Sequence, residues 1–447
     1  MKHVICTTQA HGRRGFAIVV VLLAVAIAAA VLMALQSSAY RQAAAGREAV
    51  ARVRAKWAAR AGLEATIARF EHEIERGEPV TGFDTIDQLS EVASGTIEGA
   101  RWTIQSSDGG RIVDAPDDPH ARVNINRMSV DDMLQLEGMT EDVAAAIVDW
   151  RDPDELVTEL GAERGAYVQQ ESSRLPRNGF IKSLHELELV MGVDPELVRG
   201  EDWNLNGRLD PNEDDGEASW PPDNADGDLD GGWSAIITAD SIDEGLAVDG
   251  QERLYLPETS KQELAAIVDD LSPLQVDAIL AYSARAGIAL TDFIGTPLPT
   301  LALATGQFNT SETAAMAALT RDQIQQLIDS ATLYDPEDGP IPGRININMV
   351  REEVLDYVEP FRDNPSLIDR LMAARNARAQ GFVKLTDLQE YLGPQQLAQL
   401  ARYIDVQSNA YVVVSRGRDL GSGLEVELRA TIERTALPVV ITEMTVR

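Results

Sequence analysis

The sequence is poor in cysteine and histidine. Its 447 residues include one cysteine, Cys6, which lies before the first long apolar run. A single cysteine excludes an internal disulfide framework and a zinc site built from cysteine ligands. The five histidines are scattered and lack the spacing of a metal-binding pair. The sequence also contains no glycine-rich phosphate loop after a strand and no pairing of a nucleophile with a base, so it predicts that the protein is not an enzyme.

Positive charge is scarce as well. The chain has 39 lysines and arginines against 72 aspartates and glutamates, which gives a formal net charge of -33 at pH 7. A body this acidic repels phosphate backbones, so we expect no nucleic-acid partner. The length is sufficient for more than one domain and for a substantial core.

An uncharged segment of twenty residues, Phe16 to Leu35, follows a polar leader that ends in Arg-Arg-Gly. Twenty apolar residues can cross a bilayer core of about 30 Å. A secretory signal normally has a shorter apolar core, of about 7–15 residues. The sequence Ser37-Ser38-Ala39 is a weak cleavage site, so a removed signal peptide and a plain membrane anchor both remain possible interpretations.

The chain after this segment is predicted to be helical. Residues 39–76 contain no proline and are rich in alanine, arginine and glutamate, which favour helix. Gly77 and Pro79 are typical helix stop signals. We therefore expect one helix of about 60 residues, near 90 Å long, that continues out of the apolar segment.

Strands are predicted near both ends of the remaining chain. Residues 96–115 read as two strands around an Asp-Gly-Gly turn, and residues 410–419, 424–435 and 439–447 read as three more. Sequential strands usually pair with one another. The simplest arrangement is one sheet that is interrupted by a helical insertion of nearly 300 residues.

The insertion contains an internal repeat. RVNIN at 122–126 returns as RININ at 344–348, and GFIKSLHELELVMG at 179–192 returns as GFVKLTDLQEYLG at 381–393. A fainter third copy covers 253–295. Each copy resembles a helix-hairpin-helix element, most clearly at the turn 136–139. Acidic residues flank that turn and would repel phosphate, so the pattern favours a stacked packing module.

The strongest chemical signal is DWNLNGRLDPNE at 202–213. A twelve-residue calcium loop takes oxygen ligands from positions 1, 3, 5, 7, 9 and 12 and has glycine at position 6, where the backbone turns sharply. Gly207 occupies position 6. The predicted Ca²⁺ ligands are Asp202, Asn204, Asn206, the backbone carbonyl of Arg208, Asp210 and Glu213. We expect one isolated loop with a structural Ca²⁺ ion.

A second acidic stretch, DGDLDGGW at 226–233, offers Asp226, Asp228 and Asp230 as ligands of a second metal ion. Position 12 of a loop that begins at Asp226 is Ile237, so a further carboxylate must come from elsewhere. An acidic surface loop without a metal ion explains this stretch equally well.

Three motifs together resemble a known family. The leader that ends at Gly15 before Phe16 is similar to the prepilin leader of type IV pilins and type II secretion pseudopilins. Those leaders are normally followed by a glutamate five residues into the mature chain, where this sequence has Val20. The segments RVNIN at 122–126 and FIKSLHEL at 180–187, together with that missing glutamate, are similar to the minor pseudopilin K of the type II secretion system.

This resemblance implies an α+β fold. It consists of a pilin-like long N-terminal helix plus a small antiparallel sheet, with a large inserted α-helical domain of helix-hairpin-helix-like repeats. The implied parts are a prepilin leader at 1–15, the long helix at 16–76 with its membrane span at 16–35, a pseudopilin β-domain at 77–121 and 406–447, and the repeat domain at 122–405 with the calcium loop.

The resemblance also implies a function. A prepilin peptidase would cut between Gly15 and Phe16, Phe16 would be N-methylated, and the chain would be a single-pass inner-membrane protein with its large domain in the periplasm. It would sit at the tip of the pseudopilus, aid initiation of assembly and the export of folded proteins, and contact the other minor pseudopilins (components I and J) and the secreted substrate.

Two other functions remain possible: a membrane-anchored helix-hairpin-helix protein that binds nucleic acid, and a scaffold that faces the cytoplasm. The second agrees with the charges around the span, because six lysines and arginines follow it within 25 residues and only three precede it. The calcium loop favours the opposite orientation, because weak calcium sites suit calcium concentrations outside the cytoplasm.

Overall fold

Helix α1 is the longest element and runs from Arg14 to Arg76 over 63 residues. The computed structural model describes residues 14–76, 82–170, 174–243, 245–247, 250–339 and 341–447. Most of the predicted leader and both predicted stop signals, Gly77 and Pro79, therefore lie outside the described residues. From Phe16 onward, α1 is long and apolar enough to cross a membrane, and its apolar segment is exposed. The prediction of one continuous helix is confirmed.

The remaining elements are short. The helices are α2 (Gly82–Ser90), α3 (Val130–Met133), α4 (Glu141–Arg151), α5 (Arg164–Gln169), α6 (Leu184–Leu187), α7 (Pro195–Arg199), α8 (Lys261–Ile267), α9 (Pro273–Ser283), α10 (Asp292–Gly295), α11 (Leu298–Ala304), α12 (Thr310–Ala315), α13 (Arg321–Ser330), α14 (Glu352–Leu355), α15 (Glu359–Arg362), α16 (Pro365–Asn376) and α17 (Pro394–Leu400). The strands are β1 (Ser94–Ile97), β2 (Ala100–Ile104), β3 (Ser106–Asp108), β4 (Arg111–Val113), β5 (Val123–Asn124), β6 (Ile237–Thr238), β7 (Ile242–Asp243), β8 (Leu254–Tyr255), β9 (Ala331–Thr332), β10 (Ile341–Pro342), β11 (Ile345–Asn346), β12 (Ile404–Asp405), β13 (Ala410–Asp419), β14 (Glu425–Glu433) and β15 (Val440–Val446).

A five-stranded antiparallel sheet joins strands from both ends of the chain. Its strand order is β1-β2-β13-β14-β15. Strand β2 pairs with β13, with Trp102 opposite Gly417. The predicted sheet with an insertion between its strands is therefore confirmed.

The prediction for residues 96–115 is wrong in detail. The hairpin that joins the main sheet is β1–β2, and it turns at Glu98-Gly99, where Gly99 has φ +73°. The Asp-Gly-Gly turn belongs to a separate small hairpin, β3–β4. Both turns use glycine in the left-handed region, which other residues rarely adopt. The sequence pattern predicted only the Asp-Gly-Gly turn.

Helix α1 packs on one face of the main sheet. A Cβ atom at Gly417 would lie 1.9 Å from the carbonyl oxygen of Ala55, so only glycine permits this approach. Tyr411 and Val413, at alternate positions of β13, belong to the core between the helix and the sheet. Because side chains alternate across a strand, Arg416 projects from the opposite face, toward the insertion.

Each of the three repeat copies begins with one short strand and ends with another, and these two strands pair in parallel. Strand β5 pairs with β6, β8 pairs with β9, and β11 pairs with β12. One hydrophobic core is shared by the first and last copies, and the middle copy contains a second core around Ile279 and Leu327. The internal repeat is therefore visible in the structure, while its helix-hairpin-helix character stays a prediction.

The first and last copies repeat the same hydrogen bonds. Asn126 exchanges two hydrogen bonds with the backbone of Ile181, and Asn348 exchanges two with the backbone of Phe382. An arginine at the end of the following helix, Arg151 or Arg375, donates to backbone carbonyls of the same opening segment. These asparagines are the last residues of the RVNIN and RININ motifs, which explains why the motif recurs.

The acidic segment is an insertion into the first copy. In the last copy α17 ends at Leu400 and β12 begins at Ile404, whereas in the first copy α7 ends at Arg199 and β6 begins at Ile237. Both predicted metal sites lie in this additional segment.

Candidate metal centre

The predicted calcium loop is irregular in structure and is closed by its first residue. The Oδ1 atom of Asp202 accepts a hydrogen bond from the amide of Asn206 at 2.9 Å, and Oδ2 accepts one from the amide of Gly207 at 2.8 Å. Gly207 has φ +66°, the left-handed conformation expected at position 6.

The two predicted asparagine ligands face Asp210. Asn204 and Asn206 donate from Nδ2 to the Oδ2 atom of Asp210, at 2.9 and 3.1 Å. The Oδ1 atom of Asn204 is buried and has no hydrogen-bond partner. A buried amide oxygen without a partner is costly, and it is the type of oxygen that a hard cation uses as a ligand.

Glu213 joins the two ends of the loop. Its side chain is 1 % exposed, its Oε1 atom accepts from the amide of Trp203 at 3.1 Å, and its Oε2 atom accepts from the amide of Asp210 at 2.9 Å. Each carboxylate oxygen therefore keeps a lone pair for a further ligand.

Burial raises the pKa of two loop carboxyls. It raises the pKa of Glu213 to about 7 and that of Asp202 to about 6, and the charge of Asp210 adds to both shifts. Asp210 differs: burial also raises its pKa, but hydrogen bonds and charge from Arg416 outweigh this, and its pKa is lowered. The loop thus holds more buried negative charge than its protein partners neutralise, which fits a divalent cation.

The loop also contacts the main sheet. Arg416 of β13 donates to the Oδ1 atom of Asp210 at 2.5 Å and to the Oε2 atom of Glu427 at 2.9 Å. Arg447 donates to the carbonyl of Asn204 at 2.8 Å. The guanidinium of Arg208 leaves the loop and donates to Gln105, next to β2. Binding at this loop would therefore affect how the insertion is held on the sheet.

The second predicted cluster lies beside the first but is open to solvent. Asp226, Asp228 and Asp230 are exposed, and the carboxylate of Asp226 accepts from the amide of Asp228 at 2.9 Å. Together with Asp202, the three residues line one cavity of about 260 Å³. The two stretches that the sequence separates are thus brought to a common cavity.

A third acidic group was missed by the sequence analysis. Among the described residues, one set of three acidic side chains has its ligand oxygens all within 4.8 Å of one another: Asp149, Asp152 and Glu163. The loop carboxylates of 202–213 do not reach this proximity, because Asp210 is drawn to Arg416. Asp149 lies in the last turn of α4 and Asp152 directly follows the helix, but Glu163 joins them only because the chain folds back.

Glu163 is the least satisfied member of this group. It is 4 % exposed, and neither carboxylate oxygen has a hydrogen-bond partner. Burial raises its pKa, and the charges of Asp149 and Asp152 add to this rise. Glycine at position 161 leaves room for this carboxylate, since a Cβ atom there would lie 2.2 Å from the Oδ2 atom of Asp149.

The hairpin-like turn at 136–139 packs against other parts of the protein. Leu136 and Met139 are buried, and the carbonyl of Glu137 accepts from the indole of Trp233 at 2.8 Å. This arrangement agrees with a packing role. The predicted cleavage site, Gly15 and Phe16, lies in the first turn of α1.

Part of the insertion matches a known protein family. Residues 113–200 match the family model of type II secretion system (T2SS) protein K, a segment that includes the RVNIN motif and the third acidic group. The predicted resemblance to protein K is thus confirmed over this segment, which is 88 of the 447 residues. Among the described residues, the apolar N-terminal part of α1 fits a single-pass membrane anchor.

A solved structure is also similar to this chain. It is the crystal structure of the GspK-GspI-GspJ complex from the enterotoxigenic Escherichia coli type 2 secretion system. The identity is 11 %, the match covers 90 % of this chain and 99 % of that chain, and the TM-score is 0.46. No curated protein matches the chain.

Proposed function

We propose that the chain is a minor pseudopilin that sits at the tip of the type II secretion pseudopilus, next to components I and J. The observation that carries this proposal is the protein K match over residues 113–200, together with a long apolar N-terminal helix. The bulk of the insertion supports a terminal place, because a large body on one side of the helix would obstruct a neighbour above it. The protein thereby aids initiation of assembly and export of folded proteins.

The proposed route to the membrane begins with a prepilin peptidase that cuts between Gly15 and Phe16. Methylated Phe16 then begins the mature chain, and residues 16–35 lie in the inner membrane with the large domain in the periplasm. Val20 takes the place of the usual glutamate, which agrees with a tip subunit that has no subunit above it.

Ca²⁺ is proposed as a structural ion of the 202–213 loop. The oxygens of Asp202, Asn204, Asn206, Asp210, Glu213 and the carbonyl of Arg208 would hold it. The unpartnered oxygen of Asn204 and the raised pKa values of Asp202 and Glu213 support this. The ion would neutralise buried carboxylates, while the protein side chains fix the loop against Arg416 and Arg447 of the sheet.

Two further cation sites are proposed. The group Asp149, Asp152 and Glu163 has unpartnered carboxylate oxygens and closely spaced ligands. The group Asp226, Asp228 and Asp230 lines the cavity next to the first loop. Of the two, the buried group is better supported, because solvent screens exposed aspartates without the help of a metal ion.

The proposed role is tested in the native host. Deletion of the chain should cause type II secreted proteins to accumulate in the periplasm, and mature chain from membranes should begin with methylated Phe16 and co-isolate with components I and J. Unchanged export after deletion would refute the secretion role. An intact Met1, or an N-terminus near Tyr40, would refute the pilin-type route.

The nucleic-acid alternative is not favoured. The turn that would face phosphate packs against Trp233, and the net charge of -33 opposes binding. A gel shift with duplex DNA at low salt should give no retarded band.

A further inference from the structure

Strand β15 is an open edge of the main sheet. It lies last in the strand order and runs for seven residues, from Val440 to Val446, and no strand that the structure describes pairs with its outer side. At the opposite edge, β1 has four residues. Proteins usually protect a sheet edge with a very short strand, a proline or an exposed lysine. Strand β15 has none of these.

The hydrogen-bond pattern shows which backbone groups of this edge face outward. Glu427 of β14 and Arg447 exchange both backbone hydrogen bonds. Hydrogen-bonded and non-hydrogen-bonded pairs alternate along an antiparallel ladder. The N–H and C=O groups of Met444 and Val446 therefore point away from β14, to the side where no described strand lies. The register shift of this pairing lies before Glu443, so the half of β15 that carries these groups is regular.

The exposed side chains of this half of β15 are apolar. Met444 and Val446 are 49 % and 44 % exposed and lie on the α1 side of the sheet, where Arg60 of α1 reaches Met444. Glu443 and Thr445 alternate with them, face the insertion and are partly buried. An extended segment beside β15 would therefore add to an apolar row on the α1 side and send its alternate side chains toward the insertion.

The insertion side of the edge is a cleft of about 810 Å³. Thr442 and Glu443 line it from β15, and residues within 177–186, 239–242 and 339–342 of the insertion line its other wall. Its charges are balanced: Glu186 pairs with Arg177, Asp240 and Glu443 share Arg429, and the other two, Lys182 and Glu433, are of opposite sign. The cleft therefore favours uncharged polar side chains, and its volume corresponds to the side chains of one segment, not to a second sheet.

We propose that β15 binds one extended segment of a different protein, which adds a further strand to the five-stranded sheet. The segment has aliphatic residues beside Met444 and Val446 and uncharged polar residues at the alternate positions that enter the cleft. A second copy of this chain is unsuitable, because each copy has a net charge of -33. Lipid is also unsuitable, since its hydrocarbon offers no partners to backbone donors and acceptors. The proposal goes beyond the secretion role and does not depend on it.

Photo-crosslinking in the native host tests the proposal. A benzoylphenylalanine is placed at Val446 of the full chain, and crosslinked peptides are identified by mass spectrometry. The expected product is one segment of another protein with apolar residues at alternate positions. Met444→Pro removes an N–H group that points outward and leaves the hydrogen bonds between β14 and β15 in place, so it should lower the yield roughly ten-fold.

The matched control is Thr96→Pro at the opposite edge of the sheet. Ile104 donates a backbone hydrogen bond to Ala93, and the ladder alternates from that pair, so the N–H group of Thr96 also points outward. Thr96 is exposed, as Met444 is. This variant should retain the yield at Val446.

A second variant leaves the backbone unchanged. Met444→Lys places a cation on the edge, as proteins do to prevent edge pairing, and should also lower the yield roughly ten-fold, whereas Thr96→Lys should retain it. Thermal unfolding checks that each variant folds, and Met444→Lys decides the matter if Met444→Pro does not. A product at Val446 with a second copy, with lipid or with a helical segment would overturn the proposal. So would no product from the folded chain, or an unchanged yield in Met444→Lys. Export after deletion is measured separately, so these outcomes leave the secretion role standing.

Discussion

Arg416 of the central strand and Asp210 of the inserted loop form an ion pair of 2.5 Å. Their sequence positions are 206 residues apart, and the pair crosses from the main sheet to the candidate calcium loop. Arg416 also contacts Glu427, so one guanidinium neutralises a carboxylate on each side of the boundary. Removal of either partner should therefore loosen the insertion from the sheet.

The variant Arg416→Gln should lower the free energy of unfolding by about 2–3 kcal/mol, because two largely buried carboxylates lose their counter-charge. Urea denaturation measures the change. Arg418→Gln, two residues along the same strand, is the matched control: its ion pair with Glu425 is exposed, and we expect a loss of about 0.5 kcal/mol or less. Equal losses for the two variants would contradict the role given to Arg416.

Calcium should stabilise the folded protein through Glu213. At a Ca²⁺ concentration one hundred times the dissociation constant, ligand binding adds about 2.7 kcal/mol to the free energy of unfolding. Thermal unfolding with Ca²⁺ and with a chelator measures this difference. Glu213→Gln should remove most of it, whereas Glu217→Gln, an exposed carboxyl in the same segment, should retain it. A Tm that does not respond to Ca²⁺ in the parent protein would refute all three proposed sites.

Loss of the Glu163 carboxylate should change the free energy of unfolding in opposite directions with and without Ca²⁺. In chelator, Glu163→Gln should raise the free energy of unfolding by about 1 kcal/mol, because it removes an unpaired buried charge. With Ca²⁺ present the same variant should be less stable than the parent, because a ligand is lost. Glu159→Gln, exposed in the same loop, should change neither value. A variant that is stabilised in both buffers would exclude a cation there.

The repeated asparagines should be equivalent. Asn126→Ala removes two hydrogen bonds to the backbone of Ile181, and Asn348→Ala removes two to the backbone of Phe382 and one to the carbonyl of Val406. Both variants leave buried groups unpaired, at a cost of about 2–4 kcal/mol. Hydrogen exchange should accelerate at the amide of Ile181 in the first variant and at that of Phe382 in the second. Asn376→Ala, at the end of α16, serves as a control and should leave both amides protected.

Acid should stabilise the middle copy through Asp329. Burial raises the pKa of Asp329 to about 6, against 3.8 for an exposed aspartate. The folded state thus binds the proton more tightly, and its extra stability, at most about 3 kcal/mol for a shift of this size, is present below pH 4 and is lost as the pH rises through 6. Asp329→Asn should flatten this part of the stability profile measured by urea denaturation. Asp322→Asn, which is exposed, should follow the parent profile.

The large features of the fold were predictable because they depend on local patterns. The apolar run and the absence of proline predicted α1, and the recurring motifs that end at Asn126 and Asn348 predicted the internal repeat. The loop 202–213 could be singled out as a candidate calcium site because its proposed ligands lie within twelve residues. Glu163 could not be singled out in this way, because its proximity to Asp149 is set by the tertiary path of the chain. Likewise, no local pattern indicates that Arg416 neutralises Asp210.

The contact of Gly417 with Ala55 has a mechanical consequence. The helix that carries Ala55 runs without interruption from the apolar segment to Arg76, and the absence of a side chain at Gly417 lets its backbone press directly on the central strand. No side chain lies between the two backbones at this point. We therefore expect a displacement of the apolar end of α1 to be passed to the central strand through this contact, so that the helix and the sheet move together.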